Sequence, residues 1–244
     1  MTTAMSNPSL AVLDGDIIAY RAACWADVEG VEDLDSRLRC DVSLWTPRDV
    51  ENVIVSLSCS RKDNYRRDVW KSYKQHRDVR PDPDSLAYAK DFIRDAYHTV
   101  SIPRLEADDI MGLSASSGKA IAVTIDKDLL GVPGWHWNPD KDNTVRFISE
   151  RDADRWFARQ IISGDTTDGV PGLPGRGPAY FKNRVLQFHH EDWFQEIFWC
   201  YEEEGYDMDY FLSQAICVRI LRSGEYNKET ERITFWELPN LLAL

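Results

Sequence analysis

No stretch of this chain approaches the ~20 consecutive apolar residues that a membrane-spanning helix needs. No pair of cysteines has the close spacing of a zinc site or a redox pair. The five cysteines, Cys24, Cys40, Cys59, Cys200 and Cys217, are odd in number and far apart, a pattern that reads as reduced thiols in a cytoplasmic protein. Internal repeats and low-complexity tracts are missing, which excludes a solenoid and argues against a long disordered region. The first apolar run, Leu10 to Leu13, stops at Asp14 and is too short for a signal peptide. The chain is also short of positive charge. Its formal net charge is −12, which taken as a sum disfavours nucleic acid.

What is present qualifies that sum. Arg61 to Arg80 holds eight Lys or Arg against three Asp, so the basic charge is gathered where it can meet phosphate. A hydrophobic content of 43% and nine tryptophans argue for a packed core. At 244 residues there is room for one large α/β domain, or one with a small appendage.

In order, Leu10–Leu13 reads as a buried strand followed by D-G-D and a helix. Glu29–Asp41 is acidic, a loop or a solvated helix. Val50–Ser58 is a second strand, and a helix follows the Pro81–Pro83 break over about Ser85–Tyr97. Leu105 to Asp109 opens a further helix, its acids suiting the helix N-terminus. Ala120–Ile125 is a third strand, and Trp135–Trp137 and Thr144–Ile148 are edge strands. Helices are expected over Glu150–Ile162, Ala179–Phe188, Asp192–Glu203 and Asp209–Arg222. Alternating strands and helices, then helices only, predict a central mostly parallel sheet with a helical C-terminal part.

Four acid clusters fall at element boundaries: Asp14 and Asp16; Glu106, Asp108 and Asp109; Asp126 and Asp128; Asp165 and Asp168. Any one pair alone is more simply a cap or a turn. Nine carboxylates converging, however, would repel one another without hard divalent cations such as Mg²⁺ or Mn²⁺. Two such ions about 3.5–4 Å apart activate water and stabilise the leaving oxygen of a phosphodiester. Glu106 and Asp109 would share a helix face, and Asp126 and Asp128, if extended, one side of a strand. The Gly/Pro-rich run Gly169–Pro178 could turn backbone amides toward phosphate. Arg66, Lys74 and Arg77, with Tyr65 and Tyr73 between them, suit phosphate contact and base stacking. The adjacent His189 and His190 cannot share a helix face, so His189–Asp192 reads as a solvated helix start rather than a metal site.

Taken together, L-D-G-D, N-Y-R…S-Y-K-Q-H-R, L-E-A-D-D-I, T-I-D-K-D-L and G-D-T-T-D-G-V-P-G-L-P-G-R-G resemble the 5′→3′ exonuclease and flap-endonuclease family, in that family's order. The resemblance implies a PIN-like flap-nuclease fold with helices on both sheet faces. It implies a nuclease core over residues 1–163 with a short arch at 83–104, and a helix-hairpin-helix region over 164–244. It implies an Mg²⁺- or Mn²⁺-dependent 5′→3′ DNA exonuclease, with flap cutting as a companion activity. Asp14, Glu106, Asp108 and Asp109 would hold one ion, and Asp126, Asp128, Asp165 and Asp168 the other. Asp128 and Asp165 would be catalytic, with Arg66 and Lys74 at the reacting phosphate. Arg66, Tyr73, Lys74, Arg77, Gly172, Gly175, Arg176, Gly177 and Lys182 would hold DNA, with a monovalent cation at the hairpin. The implied partners are duplex DNA with a 5′ end, gap or flap, and RNA/DNA hybrid; the protein would act as a monomer in the host cytoplasm.

The chain departs from the pattern twice. Cys59 or Ser60 stands where many members carry an aspartate, with Asp63 the nearest acid. Pro178 and Ala179 follow Gly177 where a lysine is usual, leaving Arg176 or Lys182 to replace it. Two rivals remain on sequence. A haloacid-dehalogenase-type phosphatase would use Asp14 as nucleophile and Asp16 as general acid, but leaves E-A-D-D and Y-K-Q-H-R without a role. A non-catalytic helix-hairpin-helix DNA-binding protein would have no use for acids that weaken DNA affinity.

Overall fold

The computed structural model describes residues 8–239; the first seven and last five positions of the two expected regions lie outside them. Strand β1 (Leu10–Asp14) runs into helix α1 (Gly15–Glu29), followed by α2 (Leu34–Leu44) and β2 (Asn52–Ser56). After the basic segment, which holds the short helix α3 (Arg66–Val69), come α4 (Leu86–Ala96), β3 (Thr99–Val100), α5 (Ala107–Ser116) and β4 (Ile121–Val123). The hairpin pair β5 (Gly134–Trp137) and β6 (Arg146–Ile148) completes the sheet. Helices α6 (Glu150–Ser163), α7 (Pro178–Arg184), α8 (Trp193–Glu203) and α9 (Met208–Val218) follow, and a two-stranded ribbon, β7 (Tyr226–Asn227) with β8 (Arg232–Ile233), comes last.

The main sheet has the order β3-β2-β1-β4-β5-β6. Its first five strands are parallel and β6 is antiparallel to β5. Successive residues of a strand face opposite ways, and both faces of β1 are apolar. Ala11 and Leu13 pack with α1, α2 and α4, whereas Val12 packs with Met111 and Ala115 of α5. A parallel sheet buried on both faces needs such unbroken apolar strands. A third cluster joins α6, α8 and α9 around Phe157, Ile161, Ile197 and Phe211. Gly15 is where α1 crosses β2: a Cβ there would stand 2.6 Å from the Ser56 carbonyl oxygen. The strand order reverses beside β1, between β2 on one side and β4 on the other, and open α/β sheets place their sites at such a point, beyond the strand C-termini.

Two sequence expectations change. Glu29–Asp41 hides a stripe, Leu34, Leu38 and Val42, whose four-residue spacing buries one face of α2. Residues 83–104, the expected short arch, hold α4 and β3, with Ala89 and Ile93 buried against the α1–α2 layer. The helix expected over Asp209–Arg222 stops at Val218, because the next residues are held extended. Arg66 donates to the Arg219 carbonyl, and the Leu221 amide donates to Asp109.

Candidate active site

The strand C-termini open on a cleft of about 250 Å³. Asp14, Asp16, Glu106, Asp108, Asp126, Asp128, Asp165 and Asp168 line it, against three cations, Lys74, Arg77 and Lys127. Eight of the nine acids singled out in the sequence are therefore brought together.

Each acid is positioned by local chain logic. Asp14 ends β1 and caps α1, accepting from the Ile17 amide at 3.0 Å and from the Thr124 hydroxyl at 2.8 Å. Such a cap satisfies an otherwise orphaned amide of the first helical turn. Asp16 accepts from the Ser58 amide and is 2.6 Å from Lys90 Nζ on α4. Asp126 and Asp128 do not project from an extended strand. A 3-10 turn begins at Lys127, and Asp126 caps it by accepting from the Asp128 amide. Gln160 of α6 donates to Asp128 at 2.8 Å. Asp165 and Val170 exchange two backbone hydrogen bonds, each 2.8 Å, which folds G-D-T-T-D-G-V into a tight loop. Within it Asp165 accepts from the amides of Thr167 and Asp168.

The basic segment supplies the other wall. Lys74 Nζ lies 2.6 Å from Glu106 and 3.4 Å from Asp168, and its own amide donates to the Asp168 carbonyl at 2.8 Å. Its φ of 52° is left-handed, a conformation that costs a non-glycine residue of order 1 kcal/mol and persists where surrounding contacts over-determine it. Arg77 donates to Asp168 at 2.8 Å and remains 36% exposed.

Charge in the cleft is unevenly balanced. Burial, then the charge of Asp16, pushes the Asp14 carboxyl up to about 7. Burial, then Asp126 and Asp165, pushes Asp128 up to about 7. Asp108 is raised too, by burial and then by Asp14 and Asp126. Glu106 goes the other way. Burial opposes its charge, but the Lys74 and Arg66 charges and the hydrogen bonds from Lys74 and Tyr73 outweigh that and bring it down to about 2. The cleft thus has an ion-paired side at Glu106 and a side of carboxylates facing carboxylates at Asp14, Asp108, Asp126 and Asp128.

Three residues expected in the site do something else. Asp109 is fully buried and does not line the cleft. It accepts from the Glu106 amide at the start of α5 and makes a two-pronged pair with Arg66, 2.7 and 2.8 Å. Arg66 is 2% exposed; its remaining donors reach the carbonyls of Cys217 and Arg219 and the Glu106 carboxylate. It holds the C-terminal part against α5 and is not presented to phosphate. Tyr73 is buried, its hydroxyl donating to Glu106 at 2.8 Å and lying 3.1 Å from Asp168, so its ring is not open for base stacking. Tyr65 is buried as well.

In the glycine loop, Gly172 is buried and donates its amide to Gln214; its φ is +66°, and a Cβ would stand 2.3 Å from the Gly164 nitrogen. Gly175 and Arg176 are exposed and Gly177 is half-buried. The amides of Gly175 and Gly177 donate to no protein acceptor among the described residues. Arg176 is paired with Glu204, and Lys182 is exposed on α7, lining a separate cavity. At the end of β2 the cleft is lined by Ser58, whose hydroxyl accepts from the Ala107 amide. Cys59 has its thiol pushed up to about 11 by burial and then by Glu106, and Asp63 is exposed away from the cleft.

Gln160, Thr124, Ser58 and Lys90 were not found in the sequence. Only Thr124 carried a signal, lying two residues before Asp126 at the end of an apolar strand. Among the described residues no three His, Cys, Asp or Glu side chains already converge on a single coordination point. The all-oxygen, strongly acidic donor set still suits hard ions, which keep much of their water.

The topology and the acid cleft define a PIN-like flap-nuclease fold. No protein-family model matches the chain. In sequence it is similar to the exodeoxyribonuclease of Enterobacteria phage T3, at 26% identity over 194 residues, and to the exonuclease of Escherichia phage T7, at 27% over 194 residues. Both alignments cover 70% of this chain, and 64% and 65% of those relatives, so the chain spans just under two thirds of their length. In fold it is similar to the bacteriophage T5 D15 protein co-crystallised with metal ions, with a TM-score of 0.63 and 16% identity, covering 86% of this chain and 88% of that one. The T5 D15 flap endonuclease, as a complex with DNA and metal ions, gives a TM-score of 0.55 at 16% identity.

Proposed function

We propose that the chain is an Mg²⁺- or Mn²⁺-dependent nuclease that hydrolyses DNA from 5′ ends, cuts flaps by the same chemistry, and releases short 5′-phosphorylated products. The observation that carries this reading is the cleft: eight carboxylates at the strand C-termini facing Lys74 and Arg77. Relatives described as an exodeoxyribonuclease and an exonuclease, and a neighbour solved with DNA and metal ions, support it.

Asp14, Glu106 and Asp108 would hold one divalent ion and Asp126, Asp128, Asp165 and Asp168 a second. When bound, such ions supply Lewis-acid activation of water and stabilisation of the leaving oxygen. The protein's own groups do the rest. Glu106 and Asp168 keep Lys74 protonated: burial opposes its charge, and the two carboxylates overcome that and raise it. Lys74 and the half-exposed Arg77 then meet the phosphate oxygens from the Glu106 and Asp168 side of the cleft. Gln160 and Thr124, donating to Asp128 and Asp14, fix which carboxylate oxygens face the cleft. The amides of exposed Gly175 and half-buried Gly177 meet duplex backbone beyond it. The substrates are duplex DNA with a 5′ end, gap or flap, and RNA/DNA hybrid, handled by a monomer in the cytoplasm of a phage host. No helix of the described residues is long and apolar enough to cross a membrane.

The phosphatase alternative asks Asp14 to be a nucleophile. It leaves most of the eight carboxylates that line the same cleft without a role. Digestion of a 5′-labelled duplex and a matched flap, with Mg²⁺ and with chelator, tests the proposal. Cutting that depends on Mg²⁺ and disappears in Asp128→Ala and Asp165→Ala is expected; full activity in either variant would sink the assignment.

A further inference from the structure

Beyond the 3-10 turn Lys127–Gly131, away from the acids, lies a cavity of about 540 Å³ that nothing above uses. Ile148 and Phe181 are among its apolar lining, and Phe147 and Trp156 give it aromatic walls. Phe147 is 48% exposed, a large ring left to solvent. The Arg159 guanidinium sits 4.7 Å from the centre of the Trp156 ring. The Trp156 indole N–H and Arg159 Nε are both buried without a hydrogen-bond partner. Arg155 and Lys182 are exposed at the same cavity, and Asp152 is the one acid in its lining.

Aromatic walls beside exposed cations call for a ligand with a flat π-face and anionic oxygens. A nucleotide has both, since bases stack on aromatic rings and phosphates take cationic donors. An acidic peptide would answer the cations but leave the rings uncovered. The position favours DNA too. A smaller cavity of about 220 Å³ shares Asp126 and Lys127 with the acid cleft, and Leu130 and Arg146 with the large cavity. The walls therefore continue from one site to the other.

We propose that this cavity binds one unpaired nucleotide of a DNA strand engaged at the acid cleft. Its base lies against Trp156 and Phe147, and its phosphate meets Arg155, Arg159 and Lys182. The ligand rests on the nuclease reading; the cavity's role is tested separately. In an Asp128→Ala background with Mg²⁺, fluorescence anisotropy reads binding of a short single-stranded oligonucleotide and of a blunt hairpin duplex. Stacking worth about 1–3 kcal/mol per base predicts that Trp156→Leu weakens single-strand binding about tenfold and leaves the hairpin within about twofold. If Trp156→Leu fails to fold, the variant Arg155→Ala, altered only at an exposed position, reads the same contrast. Equal losses for both probes, or none for the single strand, overturn the proposal. So does displacement of bound poly-glutamate that responds to these substitutions while single-strand binding does not, which would assign the cavity to an acidic protein partner. Failure of the nuclease reading would show elsewhere, as wild-type protein with Mg²⁺ leaving both probes uncut.

Discussion

Replacing Arg66 should damage the fold before it damages DNA binding. The guanidinium is 2% exposed, joined to the fully buried Asp109 by two short hydrogen bonds, and it also donates to the Cys217 and Arg219 carbonyls. Arg66→Ala leaves Asp109 charged in the interior beside Glu106 and strips two carbonyls of their donor. Breaking a buried pair by removing one partner costs about 3–5 kcal/mol. For a chain of this size that corresponds to a fall in melting temperature of roughly 10 °C. Arg66→Lys should recover only part of the loss, since an ammonium cannot reproduce the forked contact. Urea denaturation gives the free energies, and a cycle with Asp109→Asn isolates the pair. The coupling should exceed about 1 kcal/mol, and the folded fraction of Arg66→Ala should bind DNA nearly as well as wild type. A loss of DNA affinity with stability unchanged would refute the reasoning and return Arg66 to the role its sequence context suggests.

Without metal, stability should fall as pH rises from about 4 to 7. Asp14 and Asp128 are raised from 3.8 to about 7 in the folded chain, so the folded state holds protons that the unfolded state has lost. Below about pH 4 the trend reverses, because Glu106, brought down to about 2, loses its stabilising charge as pH falls. Melting temperatures in chelator should therefore peak near pH 4–5, and Mg²⁺ at 100 times its dissociation constant should add about 2.7 kcal/mol at neutral pH; a chelator profile that climbs steadily to pH 7 contradicts the cleft electrostatics. Lys74→Ala should lower kcat by about a hundredfold, as loss of one charge-stabilising donor does elsewhere, and should also lower the melting temperature at neutral pH in chelator, because Glu106 and Asp168 lose their shared partner. Gly172→Ala should destabilise by about 1–3 kcal/mol, because φ is +66° and the new methyl meets the Gly164 backbone; a melting temperature equal to wild type would count against that close approach.

The acids were legible because each stands where an apolar run ends. Leu10–Leu13 before Asp14 and Ala120–Ile125 before Asp126 mark strand C-termini in any parallel sheet, and that is where eight carboxylates meet. What could not be read is which charged residues turn inward. Arg66 and Tyr73 sit in a segment that scores as a basic surface, and their burial comes from partners as distant as Cys217, 151 residues on. Asp109 differs from Asp108 by one position and a rotation about α5, which sends one to the cleft and the other into the core. The packing of residues 83–104 was hidden in the same way. Leu86, Ala89 and Ile93 form a stripe that any exposed helix could carry, and only the α1–α2 surface decides that it packs down.

The left-handed Lys74 has a mechanical meaning. Its amide is tied to the Asp168 carbonyl, and Trp70 donates to the Gly169 carbonyl, while Gly169 leaves no room for a side chain against Ser72. The basic segment and the glycine loop are thus riveted together a few residues before the Gly175–Gly177 turn. Force applied to that turn by a long, stiff duplex would be transmitted to the lysine over a few residues. On the proposed nuclease reading, where a double helix lies and where Lys74 points would be one adjustment, not two.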